Sequence, residues 1–141
     1  MVTIWLQYRL PVTTNNAGRY QRSDDIDLII GEALTNLYVG LCRFQRGEHL
    51  SAMKFVQSFA LDRLVDLIHL TEPNNQLIDK YMPDRRLESR YPETKTLLES
   101  FCQGYARTPQ SALAQLNWLQ HNFTVNACIA REVRRLVALS S

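Results

Sequence analysis

The stretch that most constrains the fold runs from Arg43 to Thr71, RFQRGEHLSAMKFVQSFALDRLVDLIHLT. It holds the end of one amphipathic helix, a glycine break and a long, mostly apolar helix. Gly47 suits a helix C-terminus, where a residue without a Cβ turns the chain, and Glu48 suits the first turn of the next helix, where a carboxylate opposes the dipole. A helix from Glu48 to Leu70 would be about 34 Å long at 1.5 Å per residue. On a helical wheel only the arc of Ser51, Lys54, Ser58, Asp62 and His69 is clearly polar. Leu50, Met53, Val56, Phe59, Ala60, Leu64, Leu67 and Ile68 cover much of the rest, which predicts a central helix touched on several sides.

Two polar residues interrupt that apolar surface. Arg63 projects between Ala52, Val56, Leu67 and Leu70, and Gln57 projects between Leu64 and Ile68. Both need partners if buried. A buried guanidinium left unpaired is costly, so Arg63 should meet a carboxylate, with Glu32 and Glu48 nearest by chain order. A buried ion pair that orients two helices outweighs a substrate-binding arginine as the reading of this residue.

Upstream, Val2 to Leu10 alternates, with Val2, Ile4, Leu6, Tyr8 and Leu10 on one side and Thr3, Trp5, Gln7 and Arg9 on the other, until Pro11 ends the run. This predicts a single short β-strand. A lone strand cannot satisfy its own backbone groups, so it must pair with a second strand, with the same strand of another copy or with another protein. Val12 to Arg22 is polar and rich in turn residues, and reads as a loop. Ser23, Asp24 and Asp25 then start a helix running to about Arg46. Its apolar arc is Ile26, Ile30, Ala33, Leu34, Leu37, Leu41 and Phe44, and Glu32, Asn36 and Arg43 share another face, read as solvated. Gly31 and Gly40 each weaken this helix by about 1 kcal/mol unless a neighbour approaches closely, and so point to tight helix contact.

Downstream, Pro73, Asn74 and Asn75 end the central helix. Short helical turns are expected from Gln76 to Tyr81 and from Arg85 to Ser89, within a surface connector where Asp84, Glu88 and Glu93 offset Arg85, Arg86 and Arg90. Pro92 suits the start of a helix reaching Gln103, with Gly104 closing it. Thr108 reads as the cap of a helix that begins at Pro109 and runs to about Asn122, anchored by Leu113, Leu116, Trp118 and Leu119. A last helix spans Val125 to Leu139, with Cys128, Ile129, Val133, Leu136 and Val137 inward and Arg131, Arg134 and Arg135 outward. The expectation is an all-α bundle of about five helices with a short N-terminal strand. It forms one domain, with residues 1–22 as an arm and residues 23–141 as the bundle.

At 141 residues and 45% hydrophobic content, such a chain buries roughly two thirds of its unfolded surface without staples. Sixteen basic against fourteen acidic side chains leave a formal charge of +2, too small to point to nucleic acid or an anionic membrane. Cys42, Cys102 and Cys128 are odd in number and widely spaced, which favours free buried thiols in a reducing compartment. The N-terminus lacks the features of a cleaved leader, and no apolar run approaches the roughly 20 residues that span a bilayer. A cytoplasmic protein is expected.

Chemical signatures are sparse. Asp25-Ile26-Asp27 opens a helix, where successive residues turn by about 100° and swing the two carboxylates apart, so capping outweighs metal binding. The chain has no glycine-rich phosphate loop, no Cys-x-x-Cys and no paired histidines at metal spacing, so neither a metal nor a cofactor is expected. Arg43 with His49, and Arg63 with His69, show the R-x5-H spacing of the nuclease motif in HEPN domains, helical bundles that cleave RNA as dimers. Within one helix Arg63 and His69 lie about 120° apart, which separates them. Arg43 and His49 straddle the Gly47 break.

From Glu32 to Phe123 the chain resembles the helical C-terminal domain of LinB-like (lincosamide) nucleotidyltransferases and related bacterial proteins. The residues that carry this are EALTNLYVGLCRFQRGEHLSA (Glu32 to Ala52), FVQSFALDRL (Phe55 to Leu64) and RYPE (Arg90 to Glu93). The turn Arg46-Gly47-Glu48 followed by Ala52, Gln57 and Arg63 is the most specific part. In that family a separate N-terminal domain supplies a Gly-Ser turn and Asp-x-Asp metal ligands, and the helical domain helps shape the acceptor pocket and the dimer. This chain has no Gly-Ser, and its Asp-x-Asp is misplaced. The resemblance therefore implies a stand-alone helical domain that is not itself an enzyme, because two-metal phosphoryl chemistry needs the missing ligands.

The expected function is dimerisation and binding of a small ligand or partner protein near Glu32, Asn36, Gln57 and Arg63, with Arg46, Glu48 and Arg63 as a structural polar tie. The partners expected are a second copy, joined through Val2 to Leu10 and one helix face, and a separate nucleotidyltransferase-type protein. The alternative is a HEPN-like RNase or a toxin-antitoxin component acting through Arg43 and His49.

Overall fold

A computed structural model describes residues 25–72 and 81–140, and its main elements are all helical. The strand expected over Val2 to Leu10 lies outside the described residues, as does the helical turn expected from Gln76 apart from its last residue. Helix α1 is Ile26–Gln45, started by Asp25, whose carboxylate accepts from the Leu28 amide at 3.2 Å. Helix α2 (His49–Lys54), a π-helical stretch (Phe55–Ala60) and α3 (Leu61–Thr71) follow one another without a break. Then come α4 (Leu87–Arg90), α5 (Thr94–Phe101), a 3₁₀ turn (Tyr105–Arg107), α6 (Thr108–Asn122) and α7 (Ala127–Leu139).

The α1–α2 connection follows from Gly47. With φ of +82° it occupies the left-handed region, and the Gly47 amide donates to Phe44 O at 3.0 Å while the Glu48 amide donates to Arg43 O at 2.9 Å. This paired closure satisfies the last carbonyls of α1 and reverses the chain. The two helices then run back along each other. Gly40 lets them meet: a Cβ there would stand 2.8 Å from Val56 Cγ2 and 3.0 Å from Phe55 Cβ. Gly31 has nothing comparable near it, so the close approach expected at both glycines exists at one.

The main core joins α1, the π-helical stretch, α3, α6 and α7 through Leu34, Leu37, Leu41, Val56, Leu64 and Leu116, among others. A smaller cluster of Val65, Ile68, Leu87 and Tyr91 lies under the connector after residue 81. That connector is therefore not purely superficial, since Leu87 and Tyr91 anchor it.

The π-helical stretch, absent from the periodicity argument, has a partner in α6. Gln115, fully buried, donates from Nε2 to Val56 O at 2.8 Å and to Phe101 O at 3.0 Å. A widened turn leaves main-chain carbonyls in need of donors, and Gln115 supplies one. Other expectations are corrected. His69, placed on the polar arc by the wheel, is 1% exposed, because the connector folds over it, whereas Leu50 is 55% exposed. Thr108 lies inside α6 rather than capping it, and its hydroxyl donates to Tyr105 O. Helix α7 starts at Ala127 because Asn126 caps it, accepting from the Ile129 amide at 3.1 Å. Cys42, Cys102 and Cys128 are free, but Cys102 and Cys128 are exposed rather than buried.

Candidate functional site

Helix α1 has two flanks of opposite character. On the first, Glu32, Asn36 and Arg43 are half-buried, which overturns the reading of this face as solvated. Arg63 extends from α3 to Glu32 at 3.3 Å and to Asp66, one turn along its own helix, at 3.0 Å. The three side chains are 16%, 13% and 2% exposed, so the guanidinium sits between two carboxylates in a largely water-free pocket. Of the two carboxylates nearest by chain order, Glu32 is the partner. Asp66 was missed by the wheel argument, although a carboxylate three residues after a buried arginine on one helix is a readable pairing signal.

The remaining candidates are dispersed. Glu48 pairs with Arg46 at 2.8 Å across the Gly47 turn, both side chains being open to solvent, and its carboxyl is held below the usual range by that hydrogen bond. The expected tie of Arg46, Glu48 and Arg63 is thus two separate features: a surface clip at the turn and a buried cluster between α1 and α3. Gln57 also stands apart from the cluster. Its amide donates to Gly104 O at 2.8 Å and to Thr108 Oγ1 at 3.0 Å, and its carbonyl accepts from the Gly104 amide at 2.9 Å. That exchange latches the π-helical stretch to the start of α6.

The two Arg–His pairs are engaged in packing. Arg43 donates to Ser51 Oγ at 2.9 Å with its guanidinium 4.9 Å from the centre of the Phe55 ring, while His49 stacks on Phe44 at 4.0 Å. His69 Nε2 lies 2.5 Å from Pro83 O, and its ring meets Tyr91 edge-on. Arg63 and His69 therefore serve different neighbours. Among the described residues no group of three or more His, Cys, Asp or Glu is placed to hold a metal ion, and no helix is long and apolar enough to cross a membrane.

The second flank of α1 went unremarked in the sequence. Leu28 is 48% exposed and Tyr38 is 39% exposed, and with exposed Gly31 and half-buried Thr35, Val39 and Cys42 they form a strip that carries no charge. Between this strip and α7 lies a groove of about 340 Å³ lined by Thr35, Tyr38, Cys128, Ile129 and Glu132. Its polar groups are already committed. Thr35 Oγ1 donates to Gly31 O at 2.8 Å, and Glu132 accepts a forked hydrogen bond from Arg135 that holds its carboxyl below the ordinary value. The Tyr38 phenol is pushed above its usual range, first by the neighbouring Cys42 thiol. The groove thus offers contact area and shape rather than reactive groups. The signal for it was available: positions 28, 31, 35, 38, 39 and 42 recur at helical spacing and contain no charged residue. Compared with protein-family models, with curated proteins and with solved structures, the chain matches none of them.

Proposed function

We propose that the protein is a non-catalytic binding and assembly module, a helical domain that forms a homodimer and holds a partner protein or small ligand on the α1/α7 face. The observation that carries this reading is the uncharged strip from Leu28 to Cys42 beside the groove. A surface helix ordinarily turns charged residues to water, and a contiguous apolar strip next to a concavity marks a contact surface. The opposite flank is occupied by structure, since Glu32 and Asp66 already claim the Arg63 guanidinium. The binding role expected at Glu32, Asn36, Gln57 and Arg63 therefore moves across the helix.

The resemblance to LinB-like nucleotidyltransferases supports a helical domain working beside a catalytic chain, so a separate nucleotidyltransferase-type protein is the partner class to look for. Sedimentation velocity over a concentration series tests the assembly. The wild type should approach twice the single-chain mass of 16.3 kDa, and Leu28→Asp should sediment as a single chain. A wild type that stays single at every concentration overturns the self-assembly.

A further inference from the structure

We propose that the uncharged strip of α1 pairs with the same strip of a second copy, the two helices running antiparallel with the Tyr38 ring of each copy seated at Thr35 of the other, in the groove beside α7. The inference rests on reading this face as a contact surface, and it names the occupant of that surface and the register in which it sits.

The first support is spacing. Leu28, Gly31, Thr35, Tyr38, Cys42 and Gln45 follow one another at alternating steps of three and four residues, and none is charged. This is the spacing of a seam along which one helix meets another lengthwise, and it is narrower than the stripe by which a helix packs on a globular core. Helix α1 carries that broader stripe as well, through Ile30, Leu34, Leu37 and Leu41. The seam is thus additional to what the core uses, and its occupant is a helix.

The second is self-complementarity. An antiparallel pair centred between Thr35 and Tyr38 sets Tyr38 against Thr35, Cys42 against Gly31 and Gln45 against Leu28, and a two-fold axis repeats each contact in reverse. The largest side chain therefore meets the concavity. Thr35 lines the groove of about 340 Å³ together with Cys128 and Ile129, which offers space for a ring. Gly31 also gains a purpose. Nothing in its own chain lies within 4 Å of where its Cβ would stand, although a glycine inside a helix weakens it. Opposite Cys42, the missing side chain lets the two backbones approach.

The third is charge, which sets the direction. Helix α1 starts beside exposed Asp25 and Asp27 and ends at exposed Arg46, which engages Glu48 through Nε. In the antiparallel register Asp27 of each copy comes opposite Arg46 of the other, and the two helix dipoles oppose each other. A parallel pair would set acid beside acid. One helix supplies both members of every layer, which is the condition for an isologous contact between identical chains.

A thiol at position 31 reads the register. Gly31→Cys in a Cys102→Ser/Cys128→Ser background keeps native Cys42 as its partner. Positions 31 and 42 are eleven residues apart on one helix, about 16 Å along its axis. That is beyond the reach of a disulfide within a chain, so any bond between them joins two copies. After mild oxidation at a concentration where light scattering reads a two-chain mass, peptide mass spectrometry should find position 31 bonded to Cys42. Bonds only between identical positions, the mark of a parallel pair, or no interchain bond at all, overturn the inference.

Gly31→Leu gives a second readout without a new thiol. A Cβ at that position meets nothing in its own chain, so a loss of association belongs to the contact between copies. Sedimentation should show the dimer dissociation constant raised about tenfold or more; an unchanged constant overturns the inference. A wild type that sediments as two chains while the bond between positions 31 and 42 is missing rejects this register and leaves self-assembly standing. A wild type that is single at every concentration overturns both.

Discussion

Arg63 reaches from α3 to Glu32 on α1 at 3.3 Å and, with its other terminal nitrogen, back to Asp66 at 3.0 Å. This relationship fixes the long helix against α1 far from the Gly47 turn. Breaking a buried pair by removing one partner leaves an uncompensated charge, so Arg63→Ala should lose about 3 kcal/mol. Glu32→Gln should lose only about 1 kcal/mol, because Asp66 still pairs with the guanidinium. Urea unfolding of the two variants checks the order; equal losses would mean that Asp66 does not share the load.

The two glycines of α1 should respond with opposite signs. Gly40→Ala forces a Cβ against Val56 and Phe55 and close to Ala52 O on the facing helix, and should cost about 1–3 kcal/mol. Gly31→Ala meets nothing within 4 Å and replaces a poor helix former with the best one, so it should gain about 0.5–1 kcal/mol. Thermal melts of the pair give both signs in one experiment.

Gln115→Leu keeps the side chain's volume but removes the donors to Val56 O and Phe101 O. Two buried carbonyls then lose a partner, and the expected loss is about 2 kcal/mol. Hydrogen exchange localises the effect: protection should fall first in the π-helical stretch from Phe55 to Ala60. Uniform loss across α1 and α7 would point to general core damage instead.

Asp62, exposed at its surface yet partly shielded from solvent, contributes to the pH dependence. Burial pushes its carboxyl above the ordinary 3.8, with Asp84 adding to the rise and the Arg63 charge opposing it. A carboxyl whose folded pKa is raised binds its proton more tightly in the native state, so its contribution to stability falls as pH rises through the window above 3.8. Asp62→Asn should therefore raise the urea midpoint at neutral pH, and the gain should vanish as the pH is lowered toward that value. Glu132 has the opposite sign: held down by Arg135, its contribution is present above 4.5 and is lost in acid below it.

Much of this fold was legible because it follows from local rules. The Gly47 turn, the central position of the Leu64 and Leu67 helix, and the need of Arg63 for a carboxylate all come from spacing, glycine geometry and the cost of burying charge. His69 and Leu50 were misplaced because a wheel averages one helix and cannot see that the connector beyond residue 81 folds over one face and leaves another open. The π-helical stretch escaped for a related reason. Its extra residue per turn is stabilised by Gln115, which lies 59 residues from Val56 in the chain. The candidate face on α1 carries its signal as an absence of charge at helical spacing, which is as informative as the presence of charge.

In the proposed arrangement α1 divides its labour, with Glu32 holding the fold on one flank and Tyr38 serving association on the other. Light-scattering mass of the purified chain, measured side by side for Glu32→Gln and Tyr38→Asp, tests it most directly. The predicted result is a two-chain mass for Glu32→Gln and a single-chain mass for Tyr38→Asp. A single-chain mass for Glu32→Gln together with a two-chain mass for Tyr38→Asp would contradict the claim.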